Sequence, residues 1–222
     1  LKDFLEENPE YQEYVIWDAR GNLKEPHTGL VVPMGGLGVE RYMKQWENDF
    51  EVFGRYKEKK LIDTFGPANR YSAALFLEKE GFNELLQSAG ILERYDLAIM
   101  STKGVPNKAS CDLIEQLDNQ GVKIFALTDF DLAGFTIMRT LRNGVRLANG
   151  TENVIELGLR YEDIAGLQSE AVIYNRTQSP RQYLKTYCNA TKEEAEFLVS
   201  GRRGNGWCGQ RVELNAFTSD QL

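Results

Sequence analysis

Residues 71–81 read YSAALFLEKEG and residues 122–134 read VKIFALTDFDLAG, and in each an apolar run closes on a pair of acids. Ala73–Leu77 is followed at once by Glu78 and Glu80, and Ile124–Leu127 by Asp129 and Asp131. Apolar runs of this length, stopping at a polar cluster and leading into a helix-like pattern, are expected for strands buried on both faces. Carboxylates placed just after such strands lie at the C-terminal edge of an open α/β sheet, the edge where ligands bind. Glu78, Asp129 and Asp131 are therefore expected to converge, although about fifty residues of chain separate the two clusters.

Three anionic carboxylates cannot share a dry pocket unaided, because like charges at a few ångströms repel and force protonation. A divalent cation resolves the conflict. Mg2+ takes oxygen ligands at roughly 2.0–2.1 Å and keeps several waters or substrate phosphates. Each cluster alone has a plainer reading, Asp129 and Asp131 as a polar strand end and Glu78 and Glu80 as acids at a helix N-terminus, where the dipole favours them. Together, in this order and with Lys103–Gly104 between them, they favour a metal site.

The surrounding pattern alternates strand and helix. Phe82, Leu85, Leu86 and Ala89 fall at helical spacing before Gly90; Leu97–Met100 is a second apolar strand, ending at Ser101-Thr102-Lys103-Gly104. Ala109, Leu113, Ile114 and Leu117 mark the next helix, Ala133–Leu141 begins another, and Val154–Leu157 reads as a fourth strand. Repeated βα units predict a mainly parallel sheet with helices on both faces.

With those elements placed, the chain resembles the Toprim domain, and more closely that of the meiotic double-strand-break protein and the related topoisomerase VI A subunit. In that family the first strand ends in Val-Glu-Lys-Glu/Asp, the second in a Lys-Gly segment, and the third in Asp-x-Asp-Pro-x-Gly. The corresponding residues here are Leu77-Glu78-Lys79-Glu80, Ser101-Thr102-Lys103-Gly104 and Asp129-Phe130-Asp131-Leu132-Ala133-Gly134, with Leu132 where the family usually has Pro. The resemblance is strong over about residues 70–145. It is weak over the rest and implies a Rossmann-like α/β fold; by pattern, residues 1–70 are expected as an N-terminal extension packing on or leading into the core, 71–160 as the Toprim domain and 161–222 as a C-terminal helical segment completing it.

It also implies the chemistry. Asp129 and Asp131 would bind Mg2+, with Mn2+ as a substitute, and Glu78 would be a ligand of a second position or a general acid/base. Lys103 would attract a phosphate or balance the carboxylates, and Arg202 and Arg203, in GRRGNGWCG, would grip DNA backbone through charge-assisted bonds. The resembling topoisomerase cuts DNA with a tyrosine in a winged-helix domain upstream of the Toprim domain. Tyr11 and Tyr14 lie upstream here, but in neither that domain's pattern nor its tyrosine motif, and the chain opens on Leu1 rather than Met. Two expectations stay open: a nucleophilic tyrosine on a preceding domain outside this chain, or a self-contained nuclease using metal-activated water. A third is a DNA-binding Toprim module without chemistry. The resemblance further implies a homodimer and an ATPase partner.

Composition narrows the partners. The 222 residues carry a net charge of −7, with 10 basic against 13 acidic residues in 1–70, 9 against 12 in 71–160 and 7 against 8 in 161–222. No basic arm exists, so a DNA partner must be held by a local patch and metal-bridged phosphates. Three scattered cysteines, Cys111, Cys188 and Cys208, offer neither a disulfide framework nor a zinc pattern, and a cytoplasmic setting is expected. The lone His27 excludes any site needing several imidazoles and reads as a turn residue. No apolar run approaches a membrane span.

The flanks are less regular. Tyr14–Trp17 reads as a strand, GLVVPMGGLG (29–38) as turns, and residues 40–56 as an amphipathic helix whose Tyr42, Trp46, Phe50 and Phe53 belong to a core. RYKEKK (55–60) reads as a solvated run. Tyr161–Leu167 and Thr191–Val199 are expected as helices, the second with a capping box from Thr191 and Glu194, and Gly201–Gly209 as a flexible basic loop. RVELNAFTSDQL (211–222) loosely resembles the Glu-x-x-Ala helix near the end of the topoisomerase polypeptide.

Overall fold

The computed structural model describes residues 7–8, 21–47, 70–79, 81–144, 150–151 and 153–217. The expected strand at Tyr14–Trp17, the end of the helix beyond residue 47, the basic run at 55–60 and Glu80 lie outside them.

A six-stranded sheet carries the architecture, in the order β2-β1-β4-β3-β5-β6. Its strands are β1 (Asn22–Lys24), β2 (Val31–Pro33), β3 (Ala73–Leu77), β4 (Leu97–Ser101), β5 (Lys123–Leu127) and β6 (Ile155–Gly158). The four from β4 to β6 run parallel, while β1 pairs antiparallel with both β2 and β4. The β3 run AALFL is buried throughout, and its pleat sends alternate residues to opposite faces. Ala74 and Phe76 join Met100, Ile124 and Leu113 on one side; Ala73, Leu75 and Leu77 join Ile99 and Leu92 on the other. An unbroken apolar run is the pattern a two-sided strand requires.

The helices follow the connections. Helices α2 (Phe82–Ser88) and α3 (Ile91–Arg94) link β3 to β4; α4 (Lys108–Asn119) returns across β3 to β5, and α5 (Leu132–Asn143) leads to β6. Because the chain leaves β3 for β4 on one side and later places β5 on the other, the connections diverge at β3, and a crevice opens beyond its C-terminal end.

Before β3, helix α1 (Gly36–Glu47) packs on the first core, with Tyr42 buried. The glycine-rich stretch read as turns therefore divides into β2 and the start of α1. Gly38 explains the misreading: a Cβ there would stand 2.2 Å from the Pro33 carbonyl oxygen, so the glycine permits a close helix-to-strand approach. Fully buried Glu25 ties this region together, accepting from Tyr42 Oη at 2.6 Å and from Thr28 and pairing with Arg70 at 3.2 Å, while Tyr42 and Tyr71 hydroxyls meet at 2.9 Å. His27 does lie in a turn, with Nε2 2.7 Å from Asp96 Oδ1.

The segment after β6 is not wholly helical. Helices α6 (Pro180–Tyr187) and α7 (Lys192–Leu198) are joined by a three-stranded antiparallel sheet of β7 (Glu170–Tyr174), β8 (Gly201–Arg203) and β9 (Gly206–Arg211), ordered β7-β9-β8. The expected helix at Tyr161–Leu167 is a series of turns, with the Asp163 carboxylate accepting from Arg160 N–H at 2.7 Å. The expected basic loop is the β8–β9 hairpin, closed over Gly204-Asn205. Helix α7 does carry the capping box, Thr191 accepting from Glu194 N–H at 3.2 Å and Glu194 accepting from Thr191 N–H at 2.7 Å. Phe130, Phe135, Leu184, Leu198 and Val212 fill a core of their own here.

Candidate metal centre

The acids are positioned by the backbone that holds Phe130. Beyond β5, Phe130 N–H donates to the Val212 carbonyl at 2.8 Å and Val212 N–H returns to Phe130 at 3.1 Å. In extended chain alternate residues face opposite ways, so the wholly buried Phe130 enters the second core while Asp129 and Asp131 turn away from it. The Asp131 carboxylate then caps α5, accepting from Gly134 N–H at 2.7 Å. A Cβ at Gly134 would stand 2.1 Å from the Asp129 carbonyl oxygen, so this close turn requires glycine.

Glu78 reaches the same place from the neighbouring strand. Its Oε2 accepts the Asp129 N–H at 3.1 Å, joining the ends of β3 and β5. Asp129, only 3% exposed, accepts Leu214 N–H at 2.8 Å through Oδ1 and lies 3.0 Å from Lys79 Nζ through Oδ2. Lys79 also donates to Glu213 at 2.7 Å; Glu213 meets Arg211 at 2.9 Å, and Arg211 meets Glu170 at 2.8 Å.

The electrostatics record an excess of negative charge. Burial, reinforced by Asp129 and Asp131, pushes Glu78 up to about 7, against the opposing pull of the Asp129 N–H bond and Lys79. Burial likewise raises Asp131, against the bonds from Gly134 and Ala133 N–H, with Asp129 adding to the rise and Arg211 opposing it. Burial alone would lower Lys79, but Glu213 and Asp129 outweigh it and hold the ammonium above its usual range. The Lys79 bond, with Arg211, keeps Glu213 low. Glu78, Asp129, Asp131 and Glu213 thus face two cations, Lys79 and Arg211. An all-oxygen donor set lacking about two positive charges fits a hard divalent cation. Among the described residues no three acidic, histidine or cysteine side chains form a ready-made cage, and one oxygen of each predicted ligand is bound to the chain itself. Lys79 would have to leave Asp129 for a metal to gain both acids.

Of the residues singled out from the sequence, Glu78, Asp129 and Asp131 are brought together. Lys103 is exposed in the loop after β4, on the same sheet edge, but the lysine on Asp129 is Lys79. Arg202 and Arg203 are exposed on β8, paired with Trp207 and Gly206 of β9, about 13 Å along that strand from Arg211. The sequence reading overlooked Lys79, although it stands inside the quoted LEKE, and Glu213, inside the loosely matched RVELNA. It also overlooked Tyr174, whose buried hydroxyl has no hydrogen-bond partner among the described residues. Burial and the Asp131 charge push Tyr174 up to about 12, so it remains a phenol, a poor nucleophile.

A parallel sheet with acids at the C-terminal ends of the two strands flanking its switch point defines an open α/β domain with an acidic ligand-binding edge. The Toprim domain of the topoisomerase 6 A-subunit/Spo11 family matches residues 73–218, about two thirds of the chain, and the protein belongs to that family. No curated protein matches it. Toprim domains generally bind a divalent metal, and this family is one of DNA-binding proteins concerned with DNA cleavage whose members work in complexes. No helix among the described residues is long and apolar enough to cross a membrane.

Proposed function

We propose that this chain is the metal-binding part of a DNA-cleaving protein of the topoisomerase VI A type, with Mg2+ held by Glu78, Asp129 and Asp131. The observation that carries the reading is the Glu78 carboxylate on the Asp129 N–H at 3.1 Å, which brings acids from two strands to one point. When bound, the metal would polarise a phosphoryl oxygen and stabilise the departing 3′ oxygen. Asp129 and Asp131 hold fixed orientations because Leu214 N–H and Gly134 N–H each anchor one oxygen. Where it is not itself a ligand, Glu78, seated on the Asp129 N–H, would take or return a proton at the reacting oxygen. Lys103, Arg202 and Arg203 supply positive charge to the DNA backbone, Lys103 from the catalytic edge of the sheet. By the same reading the protein is a cytoplasmic homodimer that works with a partner ATPase, and the nucleophile is a tyrosine on another domain.

Glu78 also favours a second reading. A carboxylate held beside Asp129 at the metal-binding edge can activate water, which would make the chain a self-contained nuclease. Incubation of supercoiled plasmid with this chain and Mg2+ or Mn2+ separates the two. Metal uptake without cutting supports the tyrosine-dependent reading, whereas cutting abolished by Glu78→Gln supports the nuclease. Failure to take up either metal contradicts both.

A further inference from the structure

Among the described residues, four arginines are engaged by carboxylates, Arg70 by Glu25, Arg142 by Glu156, Arg160 by Glu194 and Arg211 by Glu170, two of them, Arg70 and Arg160, also lying over the Tyr42 and Phe135 rings. Apart from Arg94, which lies over its neighbour Tyr95, three others are held on rings and cluster together. Arg202 lies over the Trp207 ring, 5.4 Å from its centroid. The Trp207 indole N–H donates to the Arg176 carbonyl at 3.1 Å, and the Arg176 guanidinium stands 6.0 Å from the Tyr183 ring. Arg139 sits between Tyr183 and Tyr187, 5.6 and 5.4 Å from their centroids, and donates to the Tyr183 hydroxyl at 3.2 Å. Among the described residues, none of these three arginines has a carboxylate within ion-pair distance.

In a chain of net charge −7, arginines held on rings rather than acids are notable. A guanidinium held by cation–π attraction keeps N–H groups for another partner, and such groups bind phosphate oxygens well. Tyr187 is 57% exposed, while Tyr183 and Trp207 are half-buried against the second core and hold the guanidinium groups from below. The six residues form one linked row across β8, β9, the loop after β7, α6 and α5.

The row also leads from the acidic centre. Helix α5 begins at the Asp131 cap and carries Arg139 eight residues on, about 12 Å along its axis. That distance spans about three to four phosphates of one DNA strand. Resting on the metal-centre reading above, we propose that Arg139, Arg176 and Arg202, braced by Tyr183, Tyr187 and Trp207, form a track for the backbone of duplex DNA flanking the cleaved phosphate. An acidic polypeptide could use the charge but has no comparable reason to lie beside a phosphodiester-handling centre.

Fluorescence anisotropy of a labelled duplex, titrated at several salt concentrations, tests the track. Arg139→Gln/Arg176→Gln should weaken binding by about tenfold or more and shrink the salt slope by about two, one for each lost phosphate contact. The paired Arg→Lys substitutions should restore the slope, and near-UV circular dichroism should be unchanged. Duplex binding whose affinity and slope ignore the Gln pair would overturn the track and leave the metal centre standing, as would a wild-type chain that takes up Mn2+ but binds no duplex. Polyglutamate bound as tightly as duplex would assign the row to an acidic protein instead. Loss of Mn2+ uptake would instead strike the underlying reading.

Discussion

Glu78 and Asp129 behave differently as single residues, and substitutions should be chosen accordingly. Glu78 has a folded pKa of about 7, above the usual carboxylate value, so the metal-free fold binds a proton there that the unfolded chain has already lost. Its penalty is absent below about pH 4.5 and grows as pH rises to about 7, by at most about 1.4 kcal/mol per pH unit. Thermal melts of the metal-free chain at pH 5 and pH 8 should therefore show lower stability at pH 8, and Glu78→Gln should flatten that difference. An equal difference in the variant would remove Glu78 as its source. Asp129 holds the Leu214 N–H, so Asp129→Ala leaves a buried donor unpaired and should cost about 1–3 kcal/mol in urea unfolding, beyond any loss of metal. Asp129→Asn keeps an acceptor and isolates the charge. This dual role was hidden in the sequence, where Asp129 and Leu214 stand 85 residues apart.

The elements that position these acids depend on tight approaches. Gly134→Ala would drive a Cβ against the Asp129 carbonyl, and a destabilisation of about 1–3 kcal/mol is expected in denaturant titration, with metal affinity falling alongside. Before β3, Glu25→Ala would remove the buried acceptor shared by Tyr42, Thr28 and Arg70 and should destabilise the fold by about 1–3 kcal/mol, whereas an exposed variant such as Lys44→Ala should stay within about 0.5 kcal/mol. Strands β3, β4 and β5 were legible because two-sided burial writes an unbroken apolar run. The second sheet was not. In β7 half the pleat is exposed, and β9 is GWCGQR, whose glycines read as loop although Gly206 and Gly209 are buried. The turns at residues 161–167 carried helical spacing, but a carboxylate from Asp163 turns the chain instead.

Over the whole molecule, the site assembles from segments that the sequence displays unevenly. Acids ending β3 and β5 announced themselves by position, because a parallel sheet brings strand ends together. Lys79 and Arg211 balance them, tied to one another through Glu213, by contacts spanning up to 134 residues that no local pattern encodes. Their arrangement leaves an acidic centre in an acidic protein, so a bound divalent cation should stabilise the fold by mass action. At a hundredfold excess over Kd the gain is about 2.7 kcal/mol, visible as a raised Tm that Asp129→Asn should lose. The most direct measurement is a Mn2+ titration followed by electron paramagnetic resonance on the wild-type chain and on Asp129→Asn and Asp131→Asn. Saturable uptake by the wild type, weakened more than about tenfold in each variant, is the predicted result. Uptake of equal affinity in all three would contradict a metal centre built on these acids.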